Sequence, residues 1–153
     1  MDCDLEFGRL HFFRYTPHIS ALPESPGIYC VYTCQFEGRV LIPQRLVYIG
    51  STGDSQRSFG TTGLRTRVKQ HDGRWDDWQS DRITGELLKI NGEQLGFTVA
   101  TCWSRGLVEI ETAMIFKHQP PLNKHGRTWC RITEGTITTR GNNPFLKASF
   151  SLP

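Results

Sequence analysis

No apolar run in this chain approaches the ~20 residues that a membrane-crossing helix needs, so no membrane partner is expected. No internal repeat or low-complexity tract is present, which excludes a solenoid array or a composition-driven disordered chain. Net charge is only +3, too small by itself to imply a polyanionic partner. The cysteines number five, an odd count, and the start Met1-Asp2-Cys3-Asp4 lacks a basic and then apolar leader. Reduced thiols and a cytoplasmic location are therefore expected. No zinc-finger or helix-turn-helix signature is present for reading bases.

What is present fits one domain, residues 1–153, with a single core. Basic residues fall in two stretches: Arg57, Arg65, Arg67, Lys69 and Arg74, then Lys117, Lys124, Arg127, Arg131 and Arg140. If the two stretches meet in space they form a phosphate-facing surface; otherwise they are two solvated faces.

Residues 1–24 carry an aromatic cluster (Phe7, Phe12, Phe13, Tyr15) that is expected to cover part of the core before Pro23 and Pro26 punctuate the chain. Residues 27–34 are rich in β-branched and aromatic types and predict a strand. A turn at Glu37-Gly38 returns a second strand over 39–50, bulged near Pro43 because proline cannot donate to a ladder. A polar loop over 51–63 precedes a helix between the cap candidates Thr61 or Thr62 and Gly73, with Leu64 and Val68 on one stripe and Arg67 and His71 on the next. A second helical stretch is expected from Trp75 to about Ile90, and a third strand over 96–103. Ser104 is the expected cap of a helix over about 105–118, ended by Pro120-Pro121. Beyond it, TWCRIT and TITTR predict a hairpin about Glu134-Gly135, and FLKASFSL a last strand. Cys30 and Cys34 fall on one side of the first strand. They read as buried thiols, with a zinc site shared with His118, His125 or Cys130 as the alternative.

Two tripeptides, Gly27-Ile28-Tyr29 and Tyr48-Ile49-Gly50, each deliver a tyrosine from a short strand. Downstream come Arg67-Val68-Lys69-Gln70-His71 and then Glu111, followed by Ile115-Phe-Lys-His-Gln-Pro-Pro-Leu-Asn123. In these five elements and their order the chain resembles the GIY-YIG nuclease superfamily over residues 26–123. The resemblance implies a small α+β, three-layer α/β/α sandwich about a mainly antiparallel sheet. Residues 1–24 and a β-rich segment, 124–153, would be extensions of that core. It also implies a DNA endonuclease with Tyr29 activating the water and Tyr48 beside it. Ser51 follows the second tripeptide where repair-type members often carry lysine, and homing-type members can carry serine.

The residue chemistry points the same way. Phosphodiester hydrolysis needs a water nucleophile, a charge sink for the phosphate and help for the leaving oxygen. Glu111, a carboxylate beside the apolar stripe Leu107, Ile110, Met114 and Ile115, is destabilising unless paired or metal-bound. It suits Mg²⁺ or Mn²⁺, hard cations that keep several waters. Arg67 suits a phosphate, which a guanidinium can grip by two oxygens. Asn123 is placed to fix tyrosine or phosphate geometry. A tyrosine base at neutral pH needs its pKa lowered by ~3 units, whereas His71, near ~6.5, needs none. Ser51, Arg65, Lys69, Lys124, Arg127 and Arg131 are candidate nucleic-acid contacts. The expected function is metal-dependent DNA cleavage by a stand-alone restriction- or mobile-element-type nuclease. The alternatives are a structure-selective repair or recombination nuclease and a catalytically silent nucleic-acid-binding module. Nothing in the sequence fixes an oligomeric state.

Overall fold

The computed structural model describes residues 2–12, 19–52, 63–72, 94–103, 106–124, 126–128, 130 and 134–151, with 69–72 described by their backbone alone. These residues form β1 (Asp2–Phe7), β2 (His11–Phe12), β3 (Gly27–Glu37), β4 (Val40–Ser51), α1 (Leu64–Asp72), β5 (Leu95–Thr101), α2 (Leu107–His118), β6 (Thr136–Gly141) and β7 (Ser149–Ser151). The fold is mixed α/β and rich in sheet. The expected helical stretch at 75–90 and the caps Thr61, Thr62 and Ser104 lie outside the described residues. Among the described residues no helix is long and apolar enough to cross a membrane.

The main sheet has the order β2-β5-β3-β4 and is antiparallel throughout. β3 lies inside it, and its first six residues are buried. That two-sided burial is why the segment reads as an almost continuous apolar run rather than an alternating one. Gly38 opens the two-residue turn to β4 at φ 61°, a left-handed value that glycine adopts at little cost.

Two register shifts mark the β3–β4 ladder. Cys34 pairs with Pro43 and Thr33 with Arg45, which leaves Gln44 as the extra residue beside the proline. Tyr32 pairs with Leu46 and Val31 with Tyr48, which leaves Val47 as a second extra residue. The second bulge decides which sheet face Tyr48 joins. Leu46 and Ile49 belong to the core on one sheet face, while Val47 and Tyr48 both belong to the core on the other. Strict alternation from Leu46 would turn Tyr48 to the wrong side; one inserted residue turns it to the side of Tyr29.

Each face carries a helix. Leu64 and Val68 of α1 pack with Tyr29, Val31, Val47, Phe97 and Val99. Leu107, Ile110, Ala113, Met114 and Ile115 of α2 pack with Ile28, Cys30, Tyr32 and Ile49 on the opposite face. Fully burying such aliphatic side chains contributes about 1.5–3 kcal/mol each. α2 ends where Gln119 takes the left-handed φ of 51° before Pro120. It starts at Leu107, two residues later than expected, with Gly106 at the cap and no side-chain cap hydrogen bond.

Residues 1–24 do more than cover the core. β1 pairs in parallel with β6, which pairs antiparallel with β7, so the two extensions form one three-stranded sheet over the α2 side. β2 extends the main sheet beside β5. β6 thus lies between β1, far earlier in the chain, and β7, the next strand, rather than in the expected hairpin with TWCRIT; residues 129 and 131–133 of that segment lie outside the described residues. The last strand is also shorter than FLKASFSL predicts, because residues 144–148 turn rather than extend.

Candidate active site

The first tripeptide begins with a glycine because β5 and α1 both approach it closely. A Cβ at Gly27 would overlap the Ala100 carbonyl oxygen and lie 2.7 Å from Leu64 Cδ1. Backbone bonds then hold the start of α1 on this spot: Leu64 N–H donates to Ser25 O at 2.9 Å and Arg65 N–H to Pro23 O at 3.2 Å. Glu24 caps the helix from a distant part of the chain. Its Oε1 accepts from Thr66 N–H at 3.3 Å and its Oε2 from the Thr66 hydroxyl at 3.0 Å. A carboxylate there satisfies orphan N–H groups and complements the positive end of the helix dipole. Glu24 lies 42 positions from Thr66, so no pattern of residues next to the helix points to it.

The second tripeptide ends in glycine for a related reason. Tyr29 and Gly50 are register partners, and a Cβ at Gly50 would overlap the hydroxyl end of the Tyr29 ring. The Tyr29 ring therefore lies across Gly50, toward Tyr48, with ring centroids 6.1 Å apart and planes tilted by 40°. Tyr29 is fully buried and Tyr48 is 8% exposed. The end of β4 is tied back to β3, with Thr52 N–H donating to Gly27 O at 3.1 Å and Gly27 N–H to Thr52 Oγ1 at 3.2 Å.

Four ionisable groups meet here. Burial pushes the Tyr29 phenol well above its ordinary pKa; neighbouring Tyr48 and Glu111 add to the rise, and Arg67 opposes it. Burial likewise raises Glu111, against the lowering pull of Ser51 and Arg67. The Ser51 hydroxyl donates to Glu111 Oε2 at 2.7 Å. Tyr29 and Tyr48 come from the hairpin, Arg67 from α1 and Glu111 from α2. The structure thus brings Tyr29, Tyr48, Arg67 and Glu111 into one electrostatic neighbourhood. The direction at Tyr29 is opposite to the lowering that a tyrosine base requires.

Asn123 is tied to the backbone beside Tyr48. Its Oδ1 accepts from Ile49 N–H at 2.9 Å and its Nδ2 donates to Ile49 O at 2.7 Å. With Leu122 N–H donating to Val47 O at 3.0 Å, it pairs with the outer edge of β4 like a short strand. Both ends of its amide bond the backbone between Tyr48 and Gly50, so it positions that strand.

The candidate nucleic-acid contacts divide. Ser51 is buried against Glu111 rather than presented to solvent. Arg65 Nε donates to Leu22 O at 2.8 Å, and Arg127 Nε to Gln119 Oε1 at 3.2 Å. Lys124 is exposed. The backbones of Lys69 and His71 lie on α1, but their side chains, and all of Arg131, lie outside the described residues.

Zinc finds no set of ligands among the described residues: no three His, Cys, Asp or Glu side chains gather. All five cysteines are free. Burial pushes Cys30 to about 12 and Cys34 to about 11, so both keep their protons at neutral pH. His118 uses both ring nitrogens, Nδ1 with Met114 O at 2.9 Å and Nε2 as acceptor from Lys147 N–H at 2.9 Å. His125 lies outside the described residues.

A single hard cation with several retained waters is a different requirement. Such an ion calls for few protein oxygens, and the buried carboxylate here is Glu111, engaged by the Ser51 hydroxyl at Oε2 and by a backbone hydrogen bond from Ser51.

No protein-family model matches this chain, and no similar protein emerges from comparison with curated proteins or with solved structures.

Proposed function

We propose that the protein is a metal-dependent DNA endonuclease of the GIY-YIG type, with its catalytic core a sandwich of α1, the main sheet and α2. One observation carries this reading. Tyr29, Tyr48, Arg67 and Glu111, drawn from three separate parts of the chain, act on one another's charge beside Gly50 and Ser51.

The roles follow from the chemistry of each group. Glu111, oriented by Ser51, would hold Mg²⁺ or Mn²⁺. When bound, the cation supplies positive charge for the phosphate oxygens and acidifies a water. Arg67 binds a non-bridging phosphate oxygen and keeps its charge at every working pH. The buried Tyr29 phenol keeps its proton and orders the nucleophilic water as a hydrogen-bond donor, while Tyr48 fixes its ring. Proton acceptance then falls to His71, four residues after Arg67 on α1, whose ordinary pKa near ~6.5 needs no lowering. Asn123 holds the Tyr48–Gly50 strand in place.

Supercoiled plasmid incubated with Mg²⁺ or Mn²⁺ tests the reading. Wild type is expected to nick it and Glu111→Ala to lose at least ~100-fold in rate, the scale at which one transition-state contact acts. Nicking that survives Glu111→Ala refutes the assignment. Discrete fragments would mark a restriction or mobile-element enzyme, and cleavage confined to flaps or junctions the repair reading. A catalytically silent binding module is the second reading. The protonated Tyr29 and the Ser51–Glu111 hydrogen bond favour it, and a wild type that binds these DNAs without cutting them would establish it.

A further inference from the structure

At the far end of the hairpin the molecule carries a second polar-aromatic surface. The ladder between β3 and β5 stops at Thr33–Leu95, whereas β3 and β4 continue to Glu37 and Val40. The overhang and the segment between β1 and β2 enclose an open cleft of about 470 Å³ lined by Arg9, Leu10, Phe12, Phe36, Arg39 and Leu41, with Val40 at its rim. Phe36 is 46% exposed, unusual for a phenylalanine. Phe12 meets it edge-on, with centroids 5.3 Å apart at 90°, which braces the Phe36 ring without stacking on it. Arg9 and Arg39 are exposed, and among the described residues neither has a hydrogen-bond or ion-pair partner.

We propose that this cleft binds single-stranded nucleic acid, with a base stacked on Phe36 and its flanking phosphates on Arg9 and Arg39. The pairing of groups selects this ligand. An apolar peptide would cover the phenylalanines and leave two guanidiniums facing a partner with nothing to offer them. A duplex would satisfy the arginines but hide its base faces inside its own stack. A single strand offers both a phosphate chain and free π-faces, the combination that stacking platforms with basic rims exploit. Phe36 lies seven residues along β3 from Tyr29, about 23 Å at ~3.3 Å per residue, so this is a separate surface from the candidate active site. The inference concerns binding alone and stands whether or not the protein cleaves DNA.

Fluorescence anisotropy of a labelled oligothymidylate, titrated with the full chain in EDTA, tests it. Phe36→Leu keeps an apolar contact with Phe12 but removes the π-face, and is expected to weaken binding about 5- to 150-fold. Phe36→Trp is expected to bind as well as wild type or better. The pair Arg9→Gln and Arg39→Gln removes two phosphate contacts and is expected to lower the slope of log K against log[salt] by about 1.4. All these positions are exposed, so far-UV circular dichroism and Tm should match wild type. Three results would each overturn the proposal: no binding by the wild type, an affinity indifferent to Phe36→Leu, or equal Phe36-dependent binding of a blunt duplex.

Discussion

The Tyr29 ring occupies the space where a side chain at position 50 would stand. The two residues are partners across the β3–β4 ladder, so the tyrosine of one tripeptide requires the glycine of the other. The glycine is a steric condition for the site rather than a turn residue.

Gly50→Ala should therefore cost about 1–3 kcal/mol, the usual range for overpacking a rigid interior. Urea denaturation gives the value. In a double-mutant cycle with Tyr29→Ala the two changes should be strongly non-additive, since the second variant removes the ring the new methyl would strike. Additive costs would show that the ring has another reason to lie where it does.

Glu111→Gln should abolish nicking yet raise Tm at pH 7. The pKa of Glu111 is raised by burial, so its contribution to stability is fully present below the ordinary value of 4.5 and is lost as pH rises through the folded-state value. At neutral pH the folded protein therefore carries a carboxylate it would rather protonate, and the amide relieves it. The Tm difference between the two proteins should shrink toward zero on acidification. A glutamine variant less stable than wild type at pH 7 would contradict the burial effect.

Asn123→Ala should leave the buried N–H and C=O of Ile49 without their partners, at a cost of about 2–5 kcal/mol. Amide exchange at Ile49 should accelerate, and nicking should fall through disorder of Tyr48 rather than through lost phosphate binding. A variant with wild-type exchange at Ile49 but reduced affinity for DNA would restore a direct contact for Asn123.

His118 should titrate below its ordinary value of 6.5, because burial disfavours the imidazolium and the neighbouring Lys117 and Lys147 oppose it. A depressed histidine stabilises the fold above the unfolded pKa, and that stability is lost as pH falls through the folded one. Protonating Nε2 also removes the acceptor for Lys147 N–H, so the segment leading into β7 should lose amide protection first. NMR titration of the ring checks both points. A pKa above 6.5 would reverse the expected acid sensitivity.

Much of the core was legible locally. The β-branched and aromatic run at 27–34, the turn at Gly38, the bulge at Pro43 and the helix stop at Pro120-Pro121 all rest on rules of neighbouring residues, and β3, β4 and α2 follow them. What the sequence did not show depended on distant partners. β6 reads as half of a local hairpin but pairs with β1, whose residues lie more than a hundred positions earlier. The carboxylate that bonds the first turn of α1 is Glu24, forty-two positions from Thr66. Asn123 reads as a residue that fixes tyrosine or phosphate geometry, but that it does so through the backbone of Ile49 is set by the approach of β4.

The site divides in the same way. The sequence by itself determined which chemical groups the chain owns: two tyrosines on a hairpin, an arginine on one helix and a carboxylate on another. Only the tertiary structure decided how they are charged and aimed. The extra residue at Val47 turned Tyr48 toward Tyr29, because one inserted position inverts every later side chain of a strand. Burial then held the Tyr29 proton in place, because desolvation disfavours a phenolate, and no pattern of residue types along the chain records how much water a folded site excludes.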